Sequence, residues 1–139
     1  MMDLILWRHA EAEEGDGATE DLQRALTARG ERQAARMGRW LDRQLPEGLR
    51  VLCSPALRAE LAPGGTAQDL LDCARWPDGR GAVLVVGHQP VIGQVLAQLL
   101  GMPAGACAVR KGAVWWLRQR ERAGAAETVL LTVQSPELL

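Results

Sequence analysis

The chain has 139 residues, of which 47% are apolar and 24% are charged, a balance that is typical of one soluble globular domain. Sixteen basic residues oppose seventeen acidic ones, so the net charge of −1 offers no global positive field to nucleic acid or to an anionic membrane. The three cysteines form no C-x-x-C pair, and only two histidines accompany them, which argues against a zinc site. No apolar stretch is long enough for a signal peptide or a membrane span, so we expect a cytoplasmic protein.

The first half of the chain alternates short apolar runs with polar segments. Residues 4–7 are continuously apolar, which predicts a buried strand, and residues 11–21 are rich in Glu and Asp, which predicts a solvated loop. Thr27 is a candidate N-cap, because the apolar residues after it recur at helical spacing until a proline and a glycine end the helix. A second short strand is predicted at residues 51–53, and Ser54-Pro55 after it is typical of a helix start.

The second half begins with the clearest strand, the β-branched run at residues 82–86. A helix with a broad apolar face is predicted from about residue 90 to residue 100. Two further strands, at residues 113–117 and 128–133, flank the polar segment 119–127 and are able to form a hairpin. Strands that alternate with helices predict an α/β fold, a three-layer α/β/α sandwich around a mostly parallel sheet.

Chemically capable side chains follow each of the first three predicted strands. Arg8-His9 follows the first strand, Arg58 lies shortly after the second, and His88 comes after the third. Each of these residues taken alone is more often structural than functional. In a parallel sheet, however, the carboxyl ends of the strands meet at one crevice, so all of them are expected there together. Arginine presents a fork of donors that matches phosphate oxygens, and a neutral imidazole can attack phosphorus. The pattern therefore predicts a site for phosphoryl transfer.

The same residues lie in motifs that resemble the histidine phosphatase superfamily, to which cofactor-dependent phosphoglycerate mutases also belong. The opening R-H-A-E-A at residues 8–12 is similar to that of its small branch, the SixA-like phosphohistidine phosphatases. L-T-x-x-G at residues 26–30, S-P-A-L-R-A at 54–59 and V-L-V-V-G-H-Q-P at 83–90 resemble further motifs of that branch, in the same order. The resemblance covers nearly the whole chain and implies a phosphoglycerate mutase-like α/β/α fold.

The resemblance also implies a role for each residue that matches a motif. His9 would be the nucleophile that becomes phosphohistidine, and His88 would complete the pocket and stabilise the transition state. Arg8 and Arg58 would hold the phosphoryl oxygens. Glu11 is a candidate proton donor, and no metal or other cofactor is implied.

The chain departs from the family pattern after Ala59. The family continues there into a helix and another strand, whereas Ala59 runs almost directly into Glu60-Leu61-Ala62-Pro63-Gly64. We interpret residues 1–139 as a single domain with a segment missing or deleted near residues 59–60, and we favour a segment left out of the sequence over a true deletion. Glu60 is a second candidate for the proton donor, although a solvated carboxylate is the simpler interpretation.

The function expected from the resemblance is a phosphatase with a phosphohistidine intermediate, acting on phosphohistidine in a protein, since so short a chain leaves little for a lid. One alternative is a phosphatase for a small phosphorylated metabolite. Two others are a non-catalytic module that binds phosphorylated ligands and an interaction module with an apolar face around Trp115 and Trp116. For that pair, strand alternation predicts one core side chain and one that is partly exposed. A mutase is less favoured, because the chain has few residues to enclose a bisphosphate.

Overall fold

Five strands and three α-helices make up the part of the chain that the structure, a computed structural model, describes: residues 1–9, 28–52 and 66–139. In chain order they are β1 (Met2–Arg8), α1 (Ala28–Gln44), β2 (Arg50–Leu52), α2 (Ala67–Ala74), β3 (Gly81–Gly87), α3 (Val91–Leu99), β4 (Val114–Arg122), β5 (Ala125–Gln134) and a final 3₁₀ helix (Pro136–Leu138). None of the described helices has the length and apolar character needed to cross a membrane.

The strands form one mixed sheet in the order β2-β3-β1-β4-β5, with β1 at its centre. β1 pairs in parallel with β3, whose other edge pairs in parallel with β2. On its second edge β1 pairs antiparallel with β4, and β4 pairs antiparallel with β5. Four of the five described strands therefore point the same way, which places the carboxyl ends of β1, β2 and β3 at one edge of the sheet.

Helices cover both faces of this sheet. Met37 and Leu41 of α1 are buried against a cluster that includes Ile5 of β1. Leu70 of α2 and Ile92 of α3 are buried in the cluster on the opposite face, together with the neighbours of Ile5 along β1. Successive strand residues point to opposite faces, so β1 contributes to both cores. The predicted three-layer α/β/α architecture is confirmed.

The predicted hairpin is present, but its strands are longer than predicted. The polar segment 119–127, expected to lie between the strands, is mostly strand, because the outer ends of β4 and β5 are exposed to solvent and accept polar residues. Only Ala123 and Gly124 form the turn, and both have positive φ angles, 52° and 80°. Trp116 is buried and Trp115 is partly buried, as the alternation predicts.

Helix α2 was not predicted from the sequence, although it begins with a readable signal. The Thr66 hydroxyl accepts a hydrogen bond from the Asp69 backbone N–H at 3.2 Å, and the Asp69 carboxylate accepts one from the Thr66 N–H at 2.8 Å. This reciprocal pair is a capping box. Other predictions lie outside the described residues: the Thr27 cap, the acidic loop at 11–21, the helix start at Ser54-Pro55 and the break at 59–60.

Candidate active site

The two histidines lie side by side at the carboxyl ends of adjacent parallel strands. Arg8 at the end of β1 is the register partner of Gly87 at the end of β3, and the His9 backbone N–H donates to the Gly87 carbonyl at 2.9 Å. Beyond this last pair, the His9 and His88 rings stack with their centroids 5.0 Å apart and an interplanar angle of 19°. The structure thus brings together two residues that are 79 positions apart in the sequence.

Arg8 is anchored next to this pair through its backbone and its side chain. Its backbone N–H donates to the Ala113 carbonyl at 3.0 Å, and its Nη1 donates to the Val109 carbonyl. Burial lowers the pKa of the Arg8 guanidinium, although arginine stays charged at neutral pH. A guanidinium has five N–H donors, so the bond to Val109 leaves others for an oxyanion. A cation is therefore held beside the histidines without needing a carboxylate to orient it.

A turn at residues 110–113 holds the backbone of both Arg8 and His9. The Gly112 N–H donates to the Arg8 carbonyl at 3.1 Å and to the His9 carbonyl at 3.2 Å, and the Gly112 carbonyl accepts from Trp7 Nε1 at 3.2 Å. The turn is closed by a bond from the Ala113 N–H to the Arg110 carbonyl at 3.0 Å. Gly112 has φ +77°, which other residues rarely adopt, and a Cβ there would lie 3.1 Å from Pro136 Cγ. This turn is therefore part of the site's framework.

On the other side of the pair, Gln89 fixes the start of α3. Its Oε1 accepts from the Gly93 N–H at 2.7 Å, and its Nε2 donates to the Cys107 carbonyl at 3.1 Å. The Ile92 N–H donates to the His88 carbonyl at 3.2 Å, and the Cys107 N–H donates to the Gly93 carbonyl at 2.9 Å. The segment from Cys107 to Ala113 therefore supports His88 through Gln89 and α3, and supports His9 through the turn.

Sequence reasoning missed these supporting residues. Gln89 lies inside the motif that carries His88, and Gly93 interrupts a helical apolar pattern, which signals a close backbone approach. A Cβ at Gly93 would lie 2.2 Å from the Cys107 carbonyl oxygen. The partners at Val109 and Cys107 are backbone carbonyls, and no side-chain pattern marks them.

Three of the predicted site residues, Arg8, His9 and His88, thus lie at one end of β1 and β3. Arg58, Glu11 and Glu60 lie outside the described residues, so their roles stay predictions. Across residues 1–9, 28–52 and 66–139, no three side chains of His, Cys, Asp or Glu come together as a possible metal site.

Comparison with known proteins matches this arrangement to one family. The histidine phosphatase superfamily (branch 1) matches residues 4–73. The phosphohistidine phosphatase SixA of Escherichia coli is 30% identical over an alignment of 125 positions. The alignment covers 70% of this chain and 74% of that protein. A SixA homolog of Haemophilus influenzae is 29% identical over 130 residues, covering 72% of this chain and 78% of that protein. The structure of the protein histidine phosphatase SixA complexed with tungstate matches with a TM-score of 0.71 and 25% identity, over 99% of both chains.

The fold, the histidine pair and these matches agree, and the chain belongs to branch 1 of the histidine phosphatase superfamily. Within that family it is a SixA-like phosphatase.

Proposed function

We propose that this protein removes phosphate from phosphohistidine in a protein, through a phosphohistidine intermediate on His9. The observation that carries the proposal is the stacked pair of His9 and His88 at the ends of adjacent parallel strands. The relatives named phosphohistidine phosphatase support the substrate class. The tungstate in the SixA structure supports an oxyanion site in this fold, because tungstate and phosphate are both tetrahedral oxyanions.

In the first step, an unprotonated nitrogen of His9 attacks the phosphorus atom of the substrate. A bond forms between His9 and phosphorus while the bond from phosphorus to the substrate's imidazole nitrogen breaks. Negative charge on the equatorial oxygens is stabilised by the Arg8 guanidinium and by His88. The hydrogen bonds from the His9 N–H to the Gly87 carbonyl and from the Gly112 N–H to the His9 carbonyl fix its position before the substrate arrives, which lowers the entropy cost of the attack.

In the second step, water attacks the phosphorus of phosphorylated His9. The bond between phosphorus and the His9 nitrogen breaks, inorganic phosphate leaves, and the proton of the water passes to phosphate or to His9. The same two residues that stabilise the first transition state stabilise this one. The cycle needs no redox step.

A substrate with a phosphorus–nitrogen bond, such as phosphohistidine, is compatible with the catalytic residues proposed for this chain. Imidazole has an ordinary pKa near 6.5, so the leaving group of phosphohistidine can be protonated before the bond breaks. An alkyl phosphate ester needs a separate general acid to protonate its leaving oxygen. Glu11 stays the candidate for that role, and Arg58 stays the candidate for a second arginine on the phosphoryl oxygens. A cytoplasmic location and a metal-independent reaction also belong to this proposal.

The experiment is to measure phosphate release from a histidine-phosphorylated protein and from an aryl phosphate, with the parent chain and with His9→Ala. We expect release from the phosphoprotein to be much faster than release from the aryl phosphate, and both to be lost in His9→Ala. Turnover that survives in His9→Ala contradicts the nucleophile. Turnover of small phosphates without turnover of the phosphoprotein favours a metabolite phosphatase instead.

His88→Gln provides a matched control, because His9 and His88 are the only histidines in the chain. Rapid quenching at alkaline pH followed by intact-mass measurement detects a phosphoryl group on histidine. The parent and His88→Gln are expected to carry it, with slower turnover in His88→Gln, whereas His9→Ala is expected to carry none. A phosphoryl group retained by His9→Ala would place the intermediate on His88 and overturn the assignment.

A further inference from the structure

Arg110 and Lys111 lie directly beside the histidine pair. They form the first half of the turn whose Gly112 N–H is bonded to the Arg8 and His9 carbonyls. Standard backbone geometry places the Lys111 Cα within about 6 Å of the His9 carbonyl oxygen. The turn is therefore fixed to the site by backbone bonds, and its two cationic side chains move with it.

Both cations are exposed and weakly compensated within the described residues. The Arg110 side chain is 72% exposed, and its Nη2 lies 3.6 Å from Glu137 Oε1, which is a loose surface ion pair. Lys111 is exposed, and no carboxylate of residues 1–9, 28–52 or 66–139 forms an ion pair with it. Lys111 is also the only lysine of the chain. Neither side chain has a core packing role that would explain its position.

Packing alone does explain the rest of this segment. Val109 and Gly112 are buried, and the backbone from Cys107 to Ala113 carries the bonds that support Arg8, His9 and α3. Gly112 is required by its φ of +77°. The side chains at positions 110 and 111 take no part in this packing or in these backbone bonds, yet they place two positive charges at the edge of a site that already holds Arg8.

We propose that Arg110 and Lys111 form a basic rim that docks acidic side chains flanking the phosphohistidine of a protein substrate. This inference rests on the proposed function and deepens it by naming a feature of the substrate. Exposed cations at the edge of a site change the rate of substrate association and the KM more than they change the rate of the chemical step. The carboxylates must lie outside the phosphoryl pocket, because the rim side chains extend from the solvent side of the turn.

Two phosphohistidine peptides test the rim, identical except that Asp residues on either side of the phosphohistidine in one are Asn in the other. At low salt, the parent is expected to hydrolyse the acidic peptide with a kcat/KM about fivefold to tenfold higher, from two surface ion pairs. The preference should lie mainly in KM. It should vanish between about 0.01 M and about 1 M salt, as the Debye length falls from about 30 Å to about 3 Å.

The double variant Arg110→Gln/Lys111→Gln is expected to bring the ratio of the two kcat/KM values close to one. Arg110→Glu/Lys111→Glu, which makes the rim negative, is expected to reverse the preference. For an aryl phosphate, which has no charge beyond its phosphoryl group, the KM of the double variant should change by less than about twofold. A preference for the acidic peptide that persists in the double variant would overturn the inference. So would a parent without preference, or one that prefers a small bisphosphate.

Arg122→Gln is the matched control. It removes one exposed positive charge from the hairpin end of β4, beyond the Met2 end of β1 and at the opposite edge of the sheet from His9. Its peptide ratio is expected to equal that of the parent. If neither peptide is hydrolysed, the proposed function fails. Fluorescence anisotropy with the labelled peptides then still tests the rim, since equal binding of both peptides by the parent and the double variant would overturn it.

Discussion

Gly93 shows how closely two backbones approach behind the histidine pair. A Cβ at this position would lie 2.2 Å from the Cys107 carbonyl oxygen and 2.9 Å from both amide atoms of Gln89. The Cys107 carbonyl is part of the backbone, so it cannot move away from an added Cβ as the end of a flexible side chain can. The close approach in turn allows Gln89 to bond to both Gly93 and Cys107, which fixes the chain immediately after His88.

Gly93→Ala is therefore expected to destabilise the protein by about 1–3 kcal/mol, because α3 must move away from Cys107. It should also lower turnover, since that movement displaces His88. Chemical denaturation and a phosphatase assay measure the two effects. Gly38→Ala is the control: Gly38 lies in α1, and a Cβ there would have nothing within 4 Å, so alanine should stabilise by about 0.5–1 kcal/mol. Equal effects of the two substitutions would contradict the close approach.

Arg8 offers a second residue to change, since its guanidinium bonds to the Val109 carbonyl and is also proposed to hold the phosphoryl group. Arg8→Lys keeps the charge and loses the planar fork. We expect kcat/KM to fall by about 10²-fold to 10³-fold, the usual loss when one preorganised donor is removed. Steady-state kinetics measures this, and circular dichroism checks the fold. Near-parental activity in a folded Arg8→Lys protein would mean that Arg8 acts only as a point charge.

At the level of elements, the parts predicted correctly are those whose own residues carry the signal. β1 is continuously apolar at residues 4–7 and β3 at residues 82–86, and α3 has a broad apolar face, so burial decides their structure. β4 extends past its predicted end because Arg118 and Arg120 have partners across strands: Asp3 on β1 and Glu127 on β5. The sequence does not predict the turn at 110–113 as part of the site, since the turn bonds to β1 through its own backbone atoms, across about one hundred residues of sequence.

The pairing of β1 with β4 includes a polar group that local sequence does not reveal. Asp3 is only 6% exposed, and its carboxylate accepts from Arg118 Nε at 2.7 Å, from Arg118 Nη2 at 2.9 Å and from Trp116 Nε1 at 3.1 Å. This hydrogen bond from Arg118 to Asp3 raises the pKa of the guanidinium, against a smaller opposite effect of burial. Asp3 thereby satisfies donors from two positions of the neighbouring strand.

Asp3→Asn is expected to lower the free energy of unfolding by about 1–3 kcal/mol, because buried donors lose a charged acceptor. Since the Arg118 pKa is raised in the folded state, the arginine's share of this stability is fully present at any pH below its ordinary value. The loss should therefore be the same at pH 6 and pH 9 as measured by urea denaturation. Phosphatase activity should be retained, as Asp3 lies at the opposite end of β1 from His9. A large loss of activity without loss of stability would contradict this account.

At the level of the whole molecule, the chain departs from the family pattern near residues 59–60. The SixA structure matches over 99% of both chains. The alignment with the Haemophilus influenzae protein is 130 positions long but includes only 72% of this chain. Because that share is fewer residues than the alignment has positions, this chain has gaps in the alignment, which supports a missing segment. We predict that the purified natural protein is heavier than the 15.1 kDa of this sequence. Intact-mass spectrometry decides this: a mass near 15.1 kDa would instead mean a true deletion.

The bond between Arg8 and Val109 spans 101 positions, and the bond between Trp7 and Gly112 spans 105. During synthesis the first strand therefore leaves the ribosome long before the turn that secures it exists. A nascent chain that stops short of Gly112 has His9 but not the backbone that fixes its position. The site is thus completed late, after most of the polypeptide has emerged.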